Sequence, residues 1–334
     1  MRRYTKYLLI GMTVFVILPA TSVWWWANQP LQTSKNVLEL TVDEGDSAET
    51  ITRKVVAAGV QNSPTLLGWW LSWTGQSRNF KEGSYEIRKT DTPAILLRKL
   101  VRGEFGLRKL RIGEGWNIRQ VRAALRRAEG LKHDSAGMSE DKLLQELDLH
   151  EDSLEGMFFP DTYKYARNTS DLDILRLASQ TMQRKLEAAW QSRASDLPLQ
   201  TPYDLLKLAS IVEKETGHGP DRPLVAAAMV NRLKINMRLQ TDPTVIYGMG
   251  ERYNGNITRA DLQRDTPYNT YTRAGLPPTP IAMPSEAALA AAANPADSNA
   301  LYFVARGDGT GSSEFSDNLP AHNRAVQKFI LKKQ

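Results

Sequence analysis

The stretch Asp204 to Gly217 reads DLLKLASIVEKETG. At about 100° per residue, Leu205, Leu208, Ala209, Ile211 and Val212 fall on one stripe of a helix, and Lys207 and Lys214 point away from it. Glu215 projects between Leu208 and Ile211, inside the apolar stripe. Two readings follow. The glutamate reaches water or an arginine at a fraying helix end. Alternatively its carboxyl is desolvated, which raises its pKa toward the range where it can donate a proton near neutrality.

Composition narrows the chemistry. The chain has 334 residues, enough for two domains or more, with 41% hydrophobic and 24% charged residues. Net charge is +6, but the basic run Arg98 to Arg127 alternates with Leu, Val and Ile, as the solvated faces of structured elements do. Nucleic acid is therefore not expected as a partner, whereas an anionic membrane or an acidic polymer suits a basic surface. There is no cysteine, which removes disulfides, thiol nucleophiles, iron–sulfur clusters, cysteine–zinc sites and a lipoprotein anchor. His133, His150, His218 and His322 show no metal-ligand spacing, so neither a metal nor a cofactor is expected.

The N-terminus predicts a location. Leu8 to Trp26 carries no charge and is long enough to cross a bilayer, and Arg2, Arg3 and Lys6 precede it. The positive-inside rule leaves residues 1–6 in the cytoplasm and sends the body outward. Trp24, Trp25 and Trp26 would form an aromatic belt at the far interface. No small-x-small site precedes Asn28, so residues 7–26 read as an uncleaved anchor and residues 27–38 as a linker.

In residues 39–150 a strand–turn–helix plan recurs, in Leu40 to Val60, Tyr85 to Glu104 and Leu110 to Leu131. Ser47, Thr92 and Asn117 stand where helix N-caps belong, with Pro93 at a first helical position. The opening Asp43-Glu44-Gly45-Asp46-Ser47 resembles that of LysM-type glycan-binding modules. Residues 151–334 predict helices over Asp171–Ser192 and Arg222–Leu233. A hairpin (Leu301–Ala305 with Glu314–Ser316) and a C-terminal helix follow. The expected fold class is α+β: an N-terminal transmembrane helix, a LysM-like α+β module, then a larger mixed α/β domain.

Three stretches downstream of Glu215 read as loops with the composition of a carbohydrate cleft: Arg238 to Tyr247 (RLQTDPTVIY), Pro267 to Tyr271 (PYNTY) and Gly275 to Ile281 (GLPPTPI). Sugars take amide and hydroxyl partners at their rims and aromatic platforms on their faces. Each stretch alone is equally compatible with a proline- and tyrosine-stiffened surface loop.

The motifs EG-x-x-FPDTY, ASIVEKET, RLQTDPTVIYG, YNTY and GLPP-x-PI follow one another along the chain, and Phe315, Asn318, His322 and Asn323 form a terminal F-x-x-N-x-x-x-HN run. Together they resemble the YceG-like family of endolytic murein transglycosylases over nearly the whole chain. The resemblance implies non-hydrolytic cleavage of the MurNAc-β-1,4-GlcNAc bond inside nascent peptidoglycan strands, leaving a 1,6-anhydro end. It makes the second glutamate of the EKE triplet, Glu215, the general acid and then base. Glu213, about 200° round the helix, cannot share its cleft. Gln240, Asp242, Thr244, Asn269 and Tyr271 are the expected substrate contacts. The implied setting is the cell inner membrane, single-pass, with a periplasmic body and with peptidoglycan synthases as possible further partners. Two alternatives stay open: a non-enzymatic peptidoglycan-binding scaffold, and a hydrolase of the same bond with Asp242 as its second carboxylate.

Overall fold

The computed structural model describes residues 21–331. Most of the expected anchor, residues 7–20, lies outside the described residues. Residues 21–27 are helical, and among the described residues no helix is long and apolar enough to cross a membrane. The chain divides into two compact units. One runs to Arg108 and takes back Lys164–Thr169; the other holds Lys109–Tyr163 and everything from Ser170. The boundary thus falls near residue 109 rather than near 150, and the third strand–turn–helix repeat belongs to the second unit.

The first unit follows the order β1 (Val37–Val42), α1 (Ala48–Ala58), α2 (Pro64–Trp73), β2 (Gly83–Arg88) and α3 (Pro93–Arg102). Leu38, Leu40 and Val42 point inward and alternate with exposed neighbours, as a half-buried strand requires. β1 pairs antiparallel with β2 from Val37 opposite Arg88 to Val42 opposite Gly83. The expected caps are present: the Ser47 hydroxyl accepts from Thr50 N and that of Thr92 from Ile95 N. Gly59 closes α1 at φ 117°, a left-handed conformation that a side chain would strain. Ile51, Val55, Leu67, Leu71, Tyr85, Ile87, Leu96 and Leu100 complete the core. The sequence does not announce α2. It is apolar nearly all round (PTLLGWWLSW), so it shows no 3.6-residue alternation to read.

The second unit contains β3 (Arg108–Arg111, entered from the first unit), α4 (Ile118–Arg127), α5 (Glu140–Glu146) and β4 (Thr162–Tyr165, which leads back out). Then come α6 (Asp171–Gln191), α7 (Pro202–Glu215), α8 (Arg222–Lys234), α9 (Asp242–Met249), α10 (Arg259–Gln263) and α11 (Glu286–Ala293). The antiparallel hairpin β5 (Tyr302–Ala305) and β6 (Ser313–Ser316) and the helix α12 (Leu319–Phe329) close the chain. α7 starts at a Thr201–Asp204 capping box with Pro202 in its first turn, and α6, α8, α9 and α11 pack around it. Leu206 and Ser210 are buried along with the predicted stripe, so the helix is enclosed far beyond one face. Each fully buried Leu or Ile of this kind stabilises the fold by about 2 kcal/mol. Lys207 is drawn in over the Tyr203 ring, 4.7 Å from its centroid, and only Lys214 stays exposed.

The segment after α8 is not the stiff loop the sequence suggests. Asp242–Met249 is a helix, and Pro243 sits in its first turn, where its missing N–H costs nothing. Gly275 to Ile281 packs against another side of α7, where Ile281 N donates to Ser210 Oγ at 3.0 Å.

Candidate active site

Glu215 is the last residue of α7, and its side chain opens into a cavity of about 470 Å³. The other lining residues are Arg232, Gln240, Asp242, Tyr271, Tyr302, Phe303, Leu319 and His322. Helix, loop, hairpin and C-terminal helix each contribute, so the cleft exists only in the folded unit. Burial pushes the Glu215 carboxyl up to about 7; the Thr241 hydroxyl opposes the shift, Asp242 adds to it and Arg232 opposes it. Near neutral pH the group can therefore be an acid in one step and a base in the next.

Glu213 does other work. Its Oε2 accepts from Ser285 N at 3.1 Å and from Ser285 Oγ at 2.5 Å, and Arg222 Nη2 lies 3.5 Å from Oε1. Ser285 is the N-cap of α11, so Glu213 fastens that helix to α7.

Of the predicted contacts, the structure brings Gln240, Asp242 and Tyr271 to the cleft beside Glu215. Tyr271 OH donates to Asp242 Oδ1 at 2.6 Å, fixing both groups at the rim. Gln240 holds φ at +50°, a left-handed conformation costly for a residue with a Cβ, and its N donates to Thr270 O at 3.1 Å. Thr244 and Asn269 do not reach the cleft, which corrects the expectation for both. Thr244 is fully buried, with its hydroxyl bonded to Thr241 O at 2.8 Å and paired with Thr270 Oγ1 at 2.9 Å. Asn269 is also fully buried; its Nδ2 donates to Leu262 O at 2.9 Å and Arg264 O at 2.7 Å, and Tyr271 N donates to its Oδ1 at 2.8 Å. Both have spent their polar atoms on backbone and hydroxyl partners, so they shape the loop that presents Tyr271. Nor does any residue of Gly275 to Ile281 line the cavity.

The sequence does not point to Arg232, Tyr302, Phe303 or Leu319, and it marks His322 only as part of a terminal motif. Arg232 is 7% exposed, and its Nε donates to Leu301 O at 2.7 Å and its Nη1 to Leu239 O. It thus ties the hairpin to the loop before α9 while placing a cation near Glu215. Its guanidinium also lies 5.5 Å from the Tyr302 ring centroid. On that same ring stacks His322, at 5.3 Å between centroids and 26° between planes. Burial and the nearby Arg232 lower the His322 pKa, which favours the neutral imidazole, and its buried Nδ1 has no hydrogen-bond partner among the described residues. An arginine just past the apolar run VAAAMV (Val225–Val230) of α8 is the signal the sequence offers for this group.

The cleft thus holds two carboxyls, Glu215 with its raised pKa and Asp242, set among aromatic faces. The chain belongs to the YceG-like family, whose model matches residues 40–328. It is 28% identical over 319 residues to the endolytic murein transglycosylase of Bacillus subtilis, covering 90% of this chain and 87% of that one. The protein of the same name from Streptococcus pneumoniae is 27% identical over 335 residues; 90% of this chain spans 60% of that relative's length. A crystal structure of a yceG-like protein from Listeria monocytogenes superposes with a TM-score of 0.54 at 27% identity, over 87% of this chain and 99% of that one.

Proposed function

We propose that this chain is a peptidoglycan lytic transglycosylase in which Glu215 cuts the MurNAc-β-1,4-GlcNAc bond within glycan strands. The observation that carries the reading is the Glu215 carboxyl, pushed by burial up to about 7, in a cavity walled by Tyr271, Tyr302 and Phe303. Family membership and relatives named endolytic murein transglycosylases support it.

Protonated Glu215 donates to the glycosidic oxygen as the C1–O bond breaks, and the GlcNAc side leaves as an alcohol. The resulting carboxylate takes the proton of the muramic acid C6 hydroxyl, whose oxygen closes on C1. The product is a 1,6-anhydro end, no water is consumed, and Glu215 is returned as the acid. A nucleophile within the same sugar ring has an effective molarity on the order of 10⁵ M when well oriented, so a second catalytic carboxylate is unnecessary. Arg232 stabilises the transient carboxylate, and the aromatic faces hold the ring in the conformation that brings O6 to C1.

Residues 7–26 anchor the chain in the inner membrane with the body outside, and the β1–α1–α2–β2 plan with its Asp43–Ser47 turn serves as a LysM-like glycan-binding module. The test is product mass on purified glycan. Anhydro ends are expected, and reducing ends, heavier by one water, would give the cut to a hydrolase using Asp242. Binding of glycan by the wild-type chain with no fragments released would leave the scaffold reading standing, and unchanged cleavage by Glu215→Gln would remove Glu215 as the acid.

A further inference from the structure

The face of α2 that turns away from the core is an exposed apolar stripe. Leu66, Trp69 and Trp73 recur at helical spacing and are 49%, 47% and 67% exposed. No residue of α2 is charged, in a chain where 24% of residues are. A solvated helix face carries charges, so this face is built for another environment. Trp69 and Trp73 stack on each other at 5.0 Å and 10°. Between them in sequence, half-buried Trp70 meets Trp26 edge-on at 6.4 Å and 75°. Trp26 ends the tryptophan run of the N-terminal segment, where Trp24 and Trp25 are 69% and 62% exposed. The contact therefore seats the exit of the expected anchor on the same helix that carries the exposed stripe.

We propose that α2 is an interfacial membrane-docking helix, which lays Leu66, Trp69 and Trp73 into the headgroup region of the bilayer beside the anchor's exit. Indole suits that depth, since its apolar body enters the acyl boundary while its N–H stays with water and headgroups. A glycan fits less well. Trp69 and Trp73 each give one ring face to the other, and the only exposed polar side chains of the helix are Thr65 and Ser72. Docking would hold the first unit against the membrane rather than letting it swing on the linker. The proposal rests on the anchoring reading of residues 7–26.

Because the chain has no cysteine, a single one can be labelled without ambiguity. The full chain is reconstituted in phosphatidylcholine–phosphatidylglycerol vesicles with brominated acyl chains, carrying an environment-sensitive fluorophore at Leu66→Cys or, as control, at the exposed turn residue Glu44→Cys. The Leu66 probe is expected to be blue-shifted and quenched by the brominated lipid, and the Glu44 probe neither. Replacing Trp69→Ser and Trp73→Ser together, or Trp73→Ser alone, should reduce the quenching while the chain still floats with the vesicles. A chain that floats with an unquenched Leu66 probe overturns docking and spares the anchor. A shift reversed by soluble muropeptides overturns it in favour of a sugar platform. A chain that does not float overturns the anchor and docking together and leaves the cleavage reading intact.

Discussion

Glu155 and Glu215 lie in the same unit, and burial pushes both carboxyls up to about 7, yet their surroundings differ in kind. Glu155 is fully buried; both its oxygens lie 3.1 Å from Ile118 N in the first turn of α4, and Tyr247 OH donates to Oε2 at 3.0 Å. These partners are donors belonging to the fold, and Glu155 does not line the cleft. Glu215 instead faces open volume, with a cation and an acidic neighbour adjusting its affinity for a proton. A raised pKa therefore reports burial alone, and access to a reacting bond decides which group does chemistry.

Exchanging each carboxyl for an amide tests that distinction most strongly. Glu215→Gln should lower release of anhydro-muropeptides by about 10²–10⁴-fold, the range of a lost general acid, with the fold intact by circular dichroism. Glu155→Gln should stay within roughly tenfold of wild type, since it acts only through the packing of α4 and Tyr247. If the second variant were as inactive as the first while equally folded, the comparison would break.

The wall behind Tyr271 comes next. Asn269→Ala removes a fully buried amide and strands the part-buried carbonyls of Leu262 and Arg264 and the amide of Tyr271. Such groups cost roughly 1 kcal/mol each where water can partly reach them, so a loss of about 3 kcal/mol is expected in urea unfolding. An exposed sugar-contact residue would show almost no such loss.

The pH dependence of stability sharpens the contrast further. The folded state holds the Glu155 proton up to about 7 against 4.5 for the free group, so its contribution is full below pH 4.5 and declines as pH rises to about 7. At roughly 1.4 kcal/mol per pH unit, the loss over that window is about 3 kcal/mol. Glu155→Gln should remove this share of the decline, flattening the unfolding free energy between pH 4.5 and about 7. Equal slopes in the two proteins would mean that Glu155 is ionised in the fold at all these pH values.

What the sequence discloses follows the range of the interactions concerned. Glu215 is legible because one helical period places it on a buried stripe, and Ser47, Thr92 and Asn117 because a cap is decided within four residues. Arg232, Tyr302 and His322 meet across some ninety residues of chain, which no local pattern encodes. Composition misplaces Thr244 and Asn269 because an amide or hydroxyl looks the same whether it binds a sugar or a backbone carbonyl. α9 reads as a loop because Pro243 is as much at home in a first helical turn as in a loop.

Asp242 gives the smallest and most discriminating effect. Its charge raises the pKa of Glu215, so Asp242→Asn should lower it and let the acid ionise earlier. The proposed mechanism needs Glu215 protonated at the first step, so the alkaline limb of kcat/KM against pH should move to lower pH, while rates on the acid side change little. The amide oxygen introduced by Asp242→Asn can still accept from Tyr271 OH, which keeps the rim in place. A hydrolase using Asp242 to activate water would behave otherwise: the variant would lose cleavage at every pH, and wild-type products would carry reducing ends. A displaced limb with anhydro products places Asp242 as an electrostatic neighbour of the one working carboxyl.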